Sequence, residues 1–378
     1  MLKNRILLIA VSAMAMFLSV SAAYAGERIG DENVVFHDAA EFNIYGKATQ
    51  ATLSLYDRLP ASYENTTRKE LWRLGRNTAG LYVRFRTDSP VISARWQSRF
   101  GNVMNHMAPS GIRGIDLYVL EDGKWYFAGV GRPEKSSLVT EAVLAKDMER
   151  REREYMLYLS LYDGVESLEI GVDKSSSISK PHVDSPRSGS PVVMYGTSIL
   201  QGGCVSRPGM AHTSLIERAL DIEVVNLGFS GNALLDMDIA QLMASVEHPS
   251  VYVLDYVPNS SADRINASGE EFFRVLRDAH PDVPVVFVED PYFPSIWRDK
   301  TMRNEVMSKN NAQRALYEKL RAMGEKKIYY VDGDKLLDEA REGTVDGIHF
   351  TDLGVTYYTE ALLPVLKKAL KSSPERLK

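Results

Sequence analysis

The chain has 378 residues, of which 44% are hydrophobic and 25% are charged, a composition typical of globular proteins. Its formal net charge is -5 at neutral pH, so there is no excess of basic residues to hold nucleic acid or an anionic membrane surface. This charge argues against a function in binding polyanions, and the length predicts two domains.

The amino terminus has the pattern of an export signal. Basic residues precede an apolar run at residues 6–20, and Ala23-Tyr24-Ala25 provides the small residues of a cleavage site. A membrane anchor is the alternative, but the run is short for a membrane span and contains polar serines. We therefore predict a signal peptide over residues 1–25, no membrane anchor after cleavage, and a periplasmic or extracellular protein.

The first half of the chain alternates apolar and polar residues, as half-buried strands do. Short alternating runs such as residues 80–87, 115–120 and 155–162 are separated by Gly, Asp and Pro. This pattern predicts an all-β, jelly-roll-like sandwich over residues 26–173. Residues 174–190 are rich in Ser and Pro without an apolar period and are predicted as a linker.

After the linker, apolar runs rich in Val, Ile and Tyr alternate with amphipathic segments. Helices are predicted near residues 211–220, 233–246, 269–280, 312–323 and 351–370. Five β-α units with buried strands predict a parallel sheet with helices on both faces over residues 191–372, followed by a tail at 373–378. Such a sheet binds its ligand at the carboxyl ends of its strands.

The segment YGTSILQGG, residues 195–203, places Ser198 just past the first of these strands. A serine hydroxyl becomes a nucleophile only when a base removes its proton. A turn between a strand and a helix prefers small residues in any case, so this segment alone favours an ordinary turn. The other polar residues at the same edge must decide between the two readings.

The loop before the last helix contains Asp346 and His349, three residues apart. At this spacing the carboxylate can hold one ring nitrogen of the imidazole while the other nitrogen faces outward. The alternative is a helix cap, since Thr351 suits the N-cap position. Both can be true, because a cap would fix the loop that carries His349.

Two further turns follow the second and third strands. Gly228 in NLGFSGNA offers a backbone N–H group, and Asn259 in DYVPNSS offers a side-chain amide, and both groups can stabilise an oxyanion. Each turn alone is unremarkable in composition. However, Ser198, Gly228, Asn259 and His349 follow the first, second, third and fifth strands, in that order. We therefore expect all four at one edge of the sheet.

These segments resemble the four blocks of the SGNH hydrolases, the GDSL-like esterase superfamily, over about residues 190–370. The resemblance implies a flavodoxin-like α/β/α fold and a catalytic triad of Ser198, His349 and Asp346. It also implies an oxyanion hole formed by Ser198, Gly228 and Asn259. Two blocks depart from the common form, with Gly-Thr-Ser-Ile-Leu in place of Gly-Asp-Ser-Leu and Val-Pro-Asn-Ser in place of Gly-x-Asn-Asp. These departures weaken the kinship to the lipase-like branches.

The first half carries a resemblance of its own, because residues 114–118 read Gly-x-Asp-Leu-Tyr. This motif is similar to the amino-terminal module that precedes the hydrolase domain in a group of bacterial secreted esterases. The resemblance implies an esterase acting on acyl, above all acetyl, groups of a carbohydrate. The alternatives are a lysophospholipase or thioesterase of the same fold, and a glycan-binding protein whose hydrolase domain is inactive.

Aromatic residues after the fourth strand are candidates for substrate contact. Tyr292, Phe293 and Trp297 offer flat faces for a sugar ring, or else anchor the loop against the neighbouring domain. His106, ahead of the Gly-x-Asp-Leu-Tyr segment, is a further candidate, with a structural histidine as the alternative. No cofactor and no metal are predicted, because the chemistry requires neither and the histidines other than His349 show no metal-ligand spacing.

Overall fold

The structure is a computed structural model of the chain, and it describes residues 33–134 and 137–375. The predicted signal peptide, residues 1–25, lies outside the described residues, as do residues 376–378 at the end of the predicted tail. Among the described residues, none of the helices has the length and apolar character needed to cross a membrane.

The amino-terminal region consists of two antiparallel sheets. Its strands are β1 (Val34–Asp38), β2 (Ile44–Tyr45), β3 (Tyr82–Thr87), β4 (Ile92–Ser98), β5 (Ile115–Glu121), β6 (Lys124–Gly131), β7 (Val139–Ala145), β8 (Arg153–Tyr158), β9 (Val165–Asp173) and β10 (Ile178–Ser179). One sheet has the order β1-β9-β4-β7, and the other has the order β10-β3-β8-β5-β6 with β2 paired to β3. Two short helices, α1 (Lys69–Gly75) and α2 (Pro109–Ile112), accompany these strands.

The two sheets enclose a common core. Trp96 and Ile170 from one sheet pack with Phe85, Leu117 and Leu157 from the other, and all five side chains are buried. Their neighbours along the strands alternate to the opposite face, which explains the period of two in the sequence. The predicted β-sandwich is confirmed.

The segment predicted as a linker, residues 174–190, contributes to both sheets. Ile178 of β10 pairs with Thr87 of β3, and Arg187 begins the first strand of the parallel sheet. The guanidinium of Arg86 donates a 3.0 Å hydrogen bond to the carbonyl of Lys180. Because β10 has only two residues, no apolar period announces it, and the division of the chain at this segment stays a prediction.

The carboxyl-terminal region is a parallel sheet with helices on both faces. Its strands are β11 (Arg187–Gly196), β12 (Ile222–Gly228), β13 (Val251–Asp255), β14 (Val285–Val288) and β15 (Ile328–Val331), in the order β12-β11-β13-β14-β15. Its helices are α3 (Ser198–Gln201), α4 (His212–Leu220), α5 (Met237–Ala244), α6 (Ala262–Ala279), α7 (Lys300–Ala322) and α8 (Asp352–Leu370). The predicted five-stranded parallel sheet is confirmed.

The central strand β11 supplies residues to a core on each face of the sheet. Val192 and Met194 pack in the core that contains α4 and α8, whereas Val193 and Tyr195 pack in the core that contains α5, α6 and α7. A strand buried on both faces reads as a continuous apolar run, as observed in the sequence. The sheet thus gives a rigid base for whatever its carboxyl edge carries.

The helix boundaries differ most from prediction at α7, which begins at Lys300 and not near residue 312. The Asp299 side chain caps this helix by accepting a 3.0 Å hydrogen bond from the N–H of Met302. The first turns are polar and exposed, so the apolar period that identifies a helix starts late. At α8 the prediction is close, since Thr351 is the N-cap residue and the helix begins at Asp352.

Candidate active site

Ser198 lies at the centre of the carboxyl edge of the parallel sheet. Strand β11 ends at Gly196, which is paired with Gly228 on one side and with Asp255 on the other. The Thr197 side chain caps the short helix α3 by accepting a hydrogen bond from the N–H of Ile199. Ser198 is the first residue of this helix, so its own N–H has no acceptor within the helix.

The three residues predicted as a triad meet in space. His349 Nε2 lies 3.0 Å from Ser198 Oγ, and His349 Nδ1 lies 2.7 Å from Asp346 Oδ2. Because an ionised carboxylate only accepts hydrogen bonds, Nδ1 carries the hydrogen and Nε2 is left to accept the serine proton. The geometry therefore presents a nucleophile, a base and a group that orients the base, in that order.

Asp346 is held by its own loop. Its Oδ1 accepts the backbone N–H groups of Ile348 at 3.0 Å and of His349 at 2.8 Å. Partial burial raises the pKa of the carboxyl, but the hydrogen bonds from the side chain and backbone of His349 and from the N–H of Ile348 outweigh it and lower the pKa to about 2. Asp346 is consequently an anion throughout the physiological pH range.

The predicted oxyanion donor Gly228 is not available in the structure. Its N–H donates a 2.8 Å hydrogen bond to Oδ1 of Asn226. A Cβ atom at Gly228 would lie 2.3 Å from the backbone nitrogen of Gln201, so the residue is glycine because α3 packs directly on the end of β12. Gly228 thus lets helix α3, which carries Ser198, approach the sheet. Because its N–H is already engaged, Gly228 is not an oxyanion donor in this structure.

Three residues further along the chain, Gly231 has the free backbone N–H that Gly228 lacks. It is exposed, has φ of +66°, and its N–H donates to no acceptor among residues 33–134 and 137–375. The N–H of Ser230 donates to Oε1 of Gln201 at 2.9 Å, which ties this turn to the helix that carries Ser198. Both glycines stand in one segment, and their hydrogen bonds, packing and exposure distinguish them.

Asn259 has one half of its amide fixed and the other half free. Its Oδ1 accepts the N–H of Ala233 at 3.3 Å, which connects the turns that follow β12 and β13. Within the described residues Nδ2 donates no hydrogen bond. The amide is thus oriented with its donor group available, as an oxyanion contact requires.

The amino-terminal region contributes buried side chains that hold the edge of the sheet. The Arg58 guanidinium donates hydrogen bonds to the carbonyls of Leu74, Asn77, Asn226 and Gly228, at 2.7 to 3.1 Å. Arg58 is 1% exposed, so water cannot reach the guanidinium. The four carbonyls take the place of water as its hydrogen-bond acceptors. Arg58 thereby fastens the end of β12, from which the Gly231 turn departs.

Two further residues of the amino-terminal region form hydrogen bonds with helix α3, which carries Ser198. The hydroxyl of Tyr162 donates a 3.0 Å hydrogen bond to the carbonyl of Ser198. Asn77 Oδ1 accepts a 3.2 Å hydrogen bond from Nε2 of Gln201. Neither residue stands in a recognisable motif, and they lie 36 and 124 residues from their partners in the chain, so sequence reasoning missed both.

The Gly-x-Asp-Leu-Tyr motif joins the two regions. Asp116 accepts hydrogen bonds from the Arg207 guanidinium at 2.5 Å and from the N–H of Gly209 at 2.9 Å. The Tyr118 hydroxyl oxygen accepts a 2.6 Å hydrogen bond from the same guanidinium. A Cβ atom at Gly209 would lie 2.5 Å from the Tyr118 ring, so only glycine fits there. The motif thus holds the segment that leads from α3 to α4.

The candidate substrate contacts differ in exposure. Phe293 is 3% exposed and packs in the core of the parallel-sheet region, so its ring is unavailable to a sugar and we exclude it. Tyr292 is half-buried and lines a cavity of about 270 Å³ with Asn310 and Arg314. Trp297 is 67% exposed, which is incompatible with an anchor buried between domains.

His106 reaches the triad from the first region of the chain. Its ring centroid lies 5.5 Å from that of His349, and its Nδ1 lies 2.9 Å from Oδ1 of Asn105.

A separate cavity of about 580 Å³, lined by His248, His280 and other residues, lies at the amino ends of β13 and β14. Ser198, His349 and Asp346 do not line that cavity and lie at the opposite, carboxyl edge of the sheet.

Two family models match the chain. Residues 189–367 match the GDSL-like lipase/acylhydrolase family, and residues 34–178 match the amino terminus of SGNH-hydrolase-type esterases, described as GxDLY. No curated protein matches the chain.

Several solved structures are similar. A Bacteroides ovatus protein described as a GDSL-like lipase is 35% identical, with a TM-score of 0.85, over 90% of this chain and 98% of its own. A salicylyl-acyltransferase from a tetracycline biosynthetic pathway is 16% identical, with a TM-score of 0.67, over 90% and 96% of the two chains. A family two carbohydrate esterase from Clostridium thermocellum, in complex with cellohexaose, is 12% identical, with a TM-score of 0.57, over 78% and 93%. At such identities the last two likenesses concern the fold.

Proposed function

The chain belongs to the GDSL-like lipase/acylhydrolase family, and from this premise we propose that it is a serine esterase that removes acyl groups, above all acetyl groups, from a carbohydrate. The observation that carries the proposal is the continuous row of hydrogen bonds from Asp346 through His349 to Ser198, at 2.7 and 3.0 Å. A serine next to an oriented imidazole is the arrangement that acyl transfer to a hydroxyl requires.

In the proposed reaction, Ser198 Oγ attacks the carbonyl carbon of the ester while His349 Nε2 takes the hydroxyl proton. Asp346 stabilises the resulting imidazolium through Nδ1–H. The imidazolium then gives its proton to the departing alcohol, which leaves an acyl group on Ser198. A water molecule, deprotonated by the same imidazole, attacks the acyl carbonyl and releases the carboxylic acid and the free serine.

The oxyanion of each tetrahedral intermediate needs preorganised donors. We assign this role to the N–H of Ser198, the N–H of Gly231 and Nδ2 of Asn259. The support for Gly231 is its unused N–H in a turn fastened to α3 through Ser230 and Gln201. The N–H of Gly228, by contrast, already donates to Asn226.

A carbohydrate as the alcohol part of the ester is supported by exposed polar and aromatic groups. Trp297 is 67% exposed, so its ring is accessible to a sugar, although the Arg298 guanidinium lies over the ring at 5.9 Å from its centroid. His106 and Tyr292 are the further proposed contacts. The carbohydrate esterases of similar fold agree with this choice without establishing it.

The test is a comparison of acid release from four kinds of substrate by purified protein. Acetylated polysaccharides and a small aryl acetate represent the proposed substrates, whereas a lysophospholipid and an acyl thioester represent the alternatives. We expect release of acetate from the first two, abolished by Ser198→Ala. Faster hydrolysis of the lysophospholipid or the thioester would contradict the carbohydrate assignment, and binding of glycan without hydrolysis of any ester would favour the non-catalytic alternative.

Export forms part of the proposal, with cleavage after Ala25 and a periplasmic or extracellular location. Its support is the basic, apolar and small-residue pattern of residues 1–25. The mass of the mature protein, isolated after expression in a bacterium with a general secretion pathway, checks this directly. Recovery of the uncut chain in the membrane fraction would favour the anchor alternative.

A further inference from the structure

Three side chains of the types that commonly bind transition metals lie together beside Ser198. His106 comes from the loop before α2, Cys204 follows α3, and His349 precedes α8. One potential ligand atom of each residue lies within 4.8 Å of the other two. Across residues 33–134 and 137–375, no other group of three His, Cys, Asp or Glu side chains meets this spacing. The three residues are far apart in sequence, which is why their spacing along the chain indicated no metal site.

Both imidazoles are held through Nδ1 by a neighbouring oxygen. Nδ1 of His349 is held by Oδ2 of Asp346 at 2.7 Å, and Nδ1 of His106 is held by Oδ1 of Asn105 at 2.9 Å. Nε2 is therefore the nitrogen of each ring that can bind an ion, and on His349 the ion would replace the 3.0 Å contact with Ser198 Oγ. An imidazole whose second nitrogen donates to a carboxylate is the usual form of a metal-binding histidine, because the carboxylate orients the ring and makes it more basic.

The backbone of Cys204 is tied to the loop that carries His349. The N–H of Cys204 donates a 3.0 Å hydrogen bond to the carbonyl of Phe350, the residue that follows His349. Cys204 is buried, whereas His106 and His349 are half-buried, so the group is open to solvent on the histidine side. An ion can enter there without disturbing the core.

We propose that His106, Cys204 and His349 form a binding site for Zn²⁺, and that the bound ion reversibly inhibits the enzyme. Two imidazoles and one thiolate are a ligand set that Zn²⁺ prefers, with a fourth position left for water or for Ser198 Oγ. Bond lengths of about 2.0 to 2.3 Å place tetrahedral ligand atoms roughly 3.5 Å apart. The separations between the three ligand atoms must therefore shorten by at most roughly 1 Å, and the Cys204 thiol releases its proton to solvent as it binds.

Inhibition follows from the position of the ion. A metal ion on His349 Nε2 occupies the lone pair that accepts the Ser198 proton, so the serine stays un-ionised. This consequence rests on the proposed function, because it assumes that His349 is the base. Binding of the ion does not rest on it, since the ligand atoms are present whatever reaction the protein performs. Mg²⁺ and Ca²⁺ prefer oxygen ligands and should have no effect.

Binding is tested without any activity, on tag-free Ser198→Ala protein titrated with Co²⁺ as a spectroscopic substitute for Zn²⁺. We expect one equivalent of Co²⁺ to give the near-ultraviolet absorption of a thiolate-cobalt bond, and Zn²⁺ to displace it. Cys204→Ala in the same background should abolish this absorption. His248→Gln, which removes an exposed histidine elsewhere, is the matched control and should retain it. A titration without thiolate absorption would overturn the proposed site.

Inhibition is tested on the active enzyme with a small aryl acetate, each variant being compared with its own metal-free rate. We expect Zn²⁺ to inhibit the unmodified enzyme and a chelator to restore the rate. Cys204→Ala should raise the Zn²⁺ concentration for half-inhibition at least about tenfold, since loss of even an outer-shell partner costs 10- to 100-fold in metal affinity. Equal inhibition of Cys204→Ala and the unmodified enzyme would refute the proposal. A protein without esterase activity that still gives the Co²⁺ result would refute only the proposed function.

Discussion

The two regions of the molecule contribute to the active site in different ways. The parallel-sheet region supplies the groups proposed to react, all from turns at the carboxyl ends of its strands. The sandwich supplies buried groups that hold those turns, such as Arg58 at the end of β12 and Tyr162 on the carbonyl of Ser198. A module that precedes the hydrolase domain in sequence is thus, in space, a part of the frame of its active site.

The residues that the two regions contribute also differ in their exposure and in their hydrogen bonds. The carbonyls of β12 that Arg58 binds are buried, and a buried polar group without a partner costs about 1–3 kcal/mol. His349 and Asp346, by contrast, are partly exposed and held by short local bonds within one loop. Substitutions in the two regions should therefore affect chemistry and stability in different proportions, and the following variants test this.

The largest effect is expected for the nucleophile. Ser198→Ala removes the attacking oxygen and should lower turnover of an aryl acetate by on the order of 10⁶-fold while leaving thermal unfolding almost unchanged. Ser188→Ala, on the exposed start of the same strand, is the control and should retain full turnover. Wild-type turnover in the Ser198→Ala protein would show that the reacting group lies elsewhere.

Asp346→Asn should be the next most damaging change. The amide no longer stabilises the imidazolium and favours the wrong ring tautomer, so turnover should fall by up to about 10⁴-fold. If a backbone carbonyl orients His349 instead, the loss will be much smaller. Steady-state kinetics of the variant beside Ser198→Ala distinguish the two outcomes.

The same variant has a pH-dependent effect on stability. The pKa of Asp346 is about 2 in the folded protein, below its ordinary value of 3.8, so its stabilisation is present above about pH 4 and is lost as the pH falls towards 2. Because the side chain is 35% exposed, we expect only about 1 kcal/mol at pH 6. Urea unfolding of both proteins at pH 6 and pH 3 should show the difference shrinking at the lower pH.

Asn259→Ala tests the oxyanion contact. Loss of one preorganised donor should lower kcat by about 10²- to 10³-fold with little change in KM, because the contact strengthens in the transition state. Asn266→Ala, on the exposed surface of the helix that follows, is the matched control. A rise in KM at unchanged kcat would instead assign Asn259 to ground-state binding of the substrate.

Arg58→Met tests the contribution of the sandwich. It leaves buried carbonyls of both regions without a donor, so we expect a loss of about 3 kcal/mol or more in the free energy of unfolding. Slight displacement of the β12 turn should also lower kcat by on the order of tenfold. Arg73→Met, at an exposed arginine that pairs with Glu70, is the control. An unchanged kcat in a folded, destabilised variant would reduce the sandwich to a purely stabilising role.

The smallest effect on a simple substrate is expected for Trp297→Ala. If the exposed ring stacks on sugar, the variant should lose several-fold in kcat/KM on an acetylated polysaccharide and almost nothing on an aryl acetate, because only the glycan uses that remote binding energy. Equal losses on both substrates would contradict the stacking role. Since the ring is 67% exposed, no change in melting temperature is expected.

Some features of this protein were determined by the sequence alone because they depend on neighbours in the chain. The period of two in the first half and the apolar runs in the second predicted the sandwich and the parallel sheet. Asp346 and His349 were predicted to be in contact because three residues span a single turn, and Thr351 was predicted as the N-cap because a cap acts on the adjacent helix; the structure has both features. Ser198 was predicted at the carboxyl edge of the sheet, where it lies, because parallel strands all end there.

Other features were decided only by tertiary contacts. Gly228 and Gly231 stand in one segment, and what distinguishes them is the packing of α3 on β12 and the hydrogen bond that the Gly228 N–H donates to Asn226. Arg58 and His106 reach the site from residues far away in the chain, and a sequence has no period or spacing that records such a contact. Phe293 is buried and Trp297 exposed although both are aromatic residues of one loop, because the direction of each side chain is set by the surface that the loop packs against.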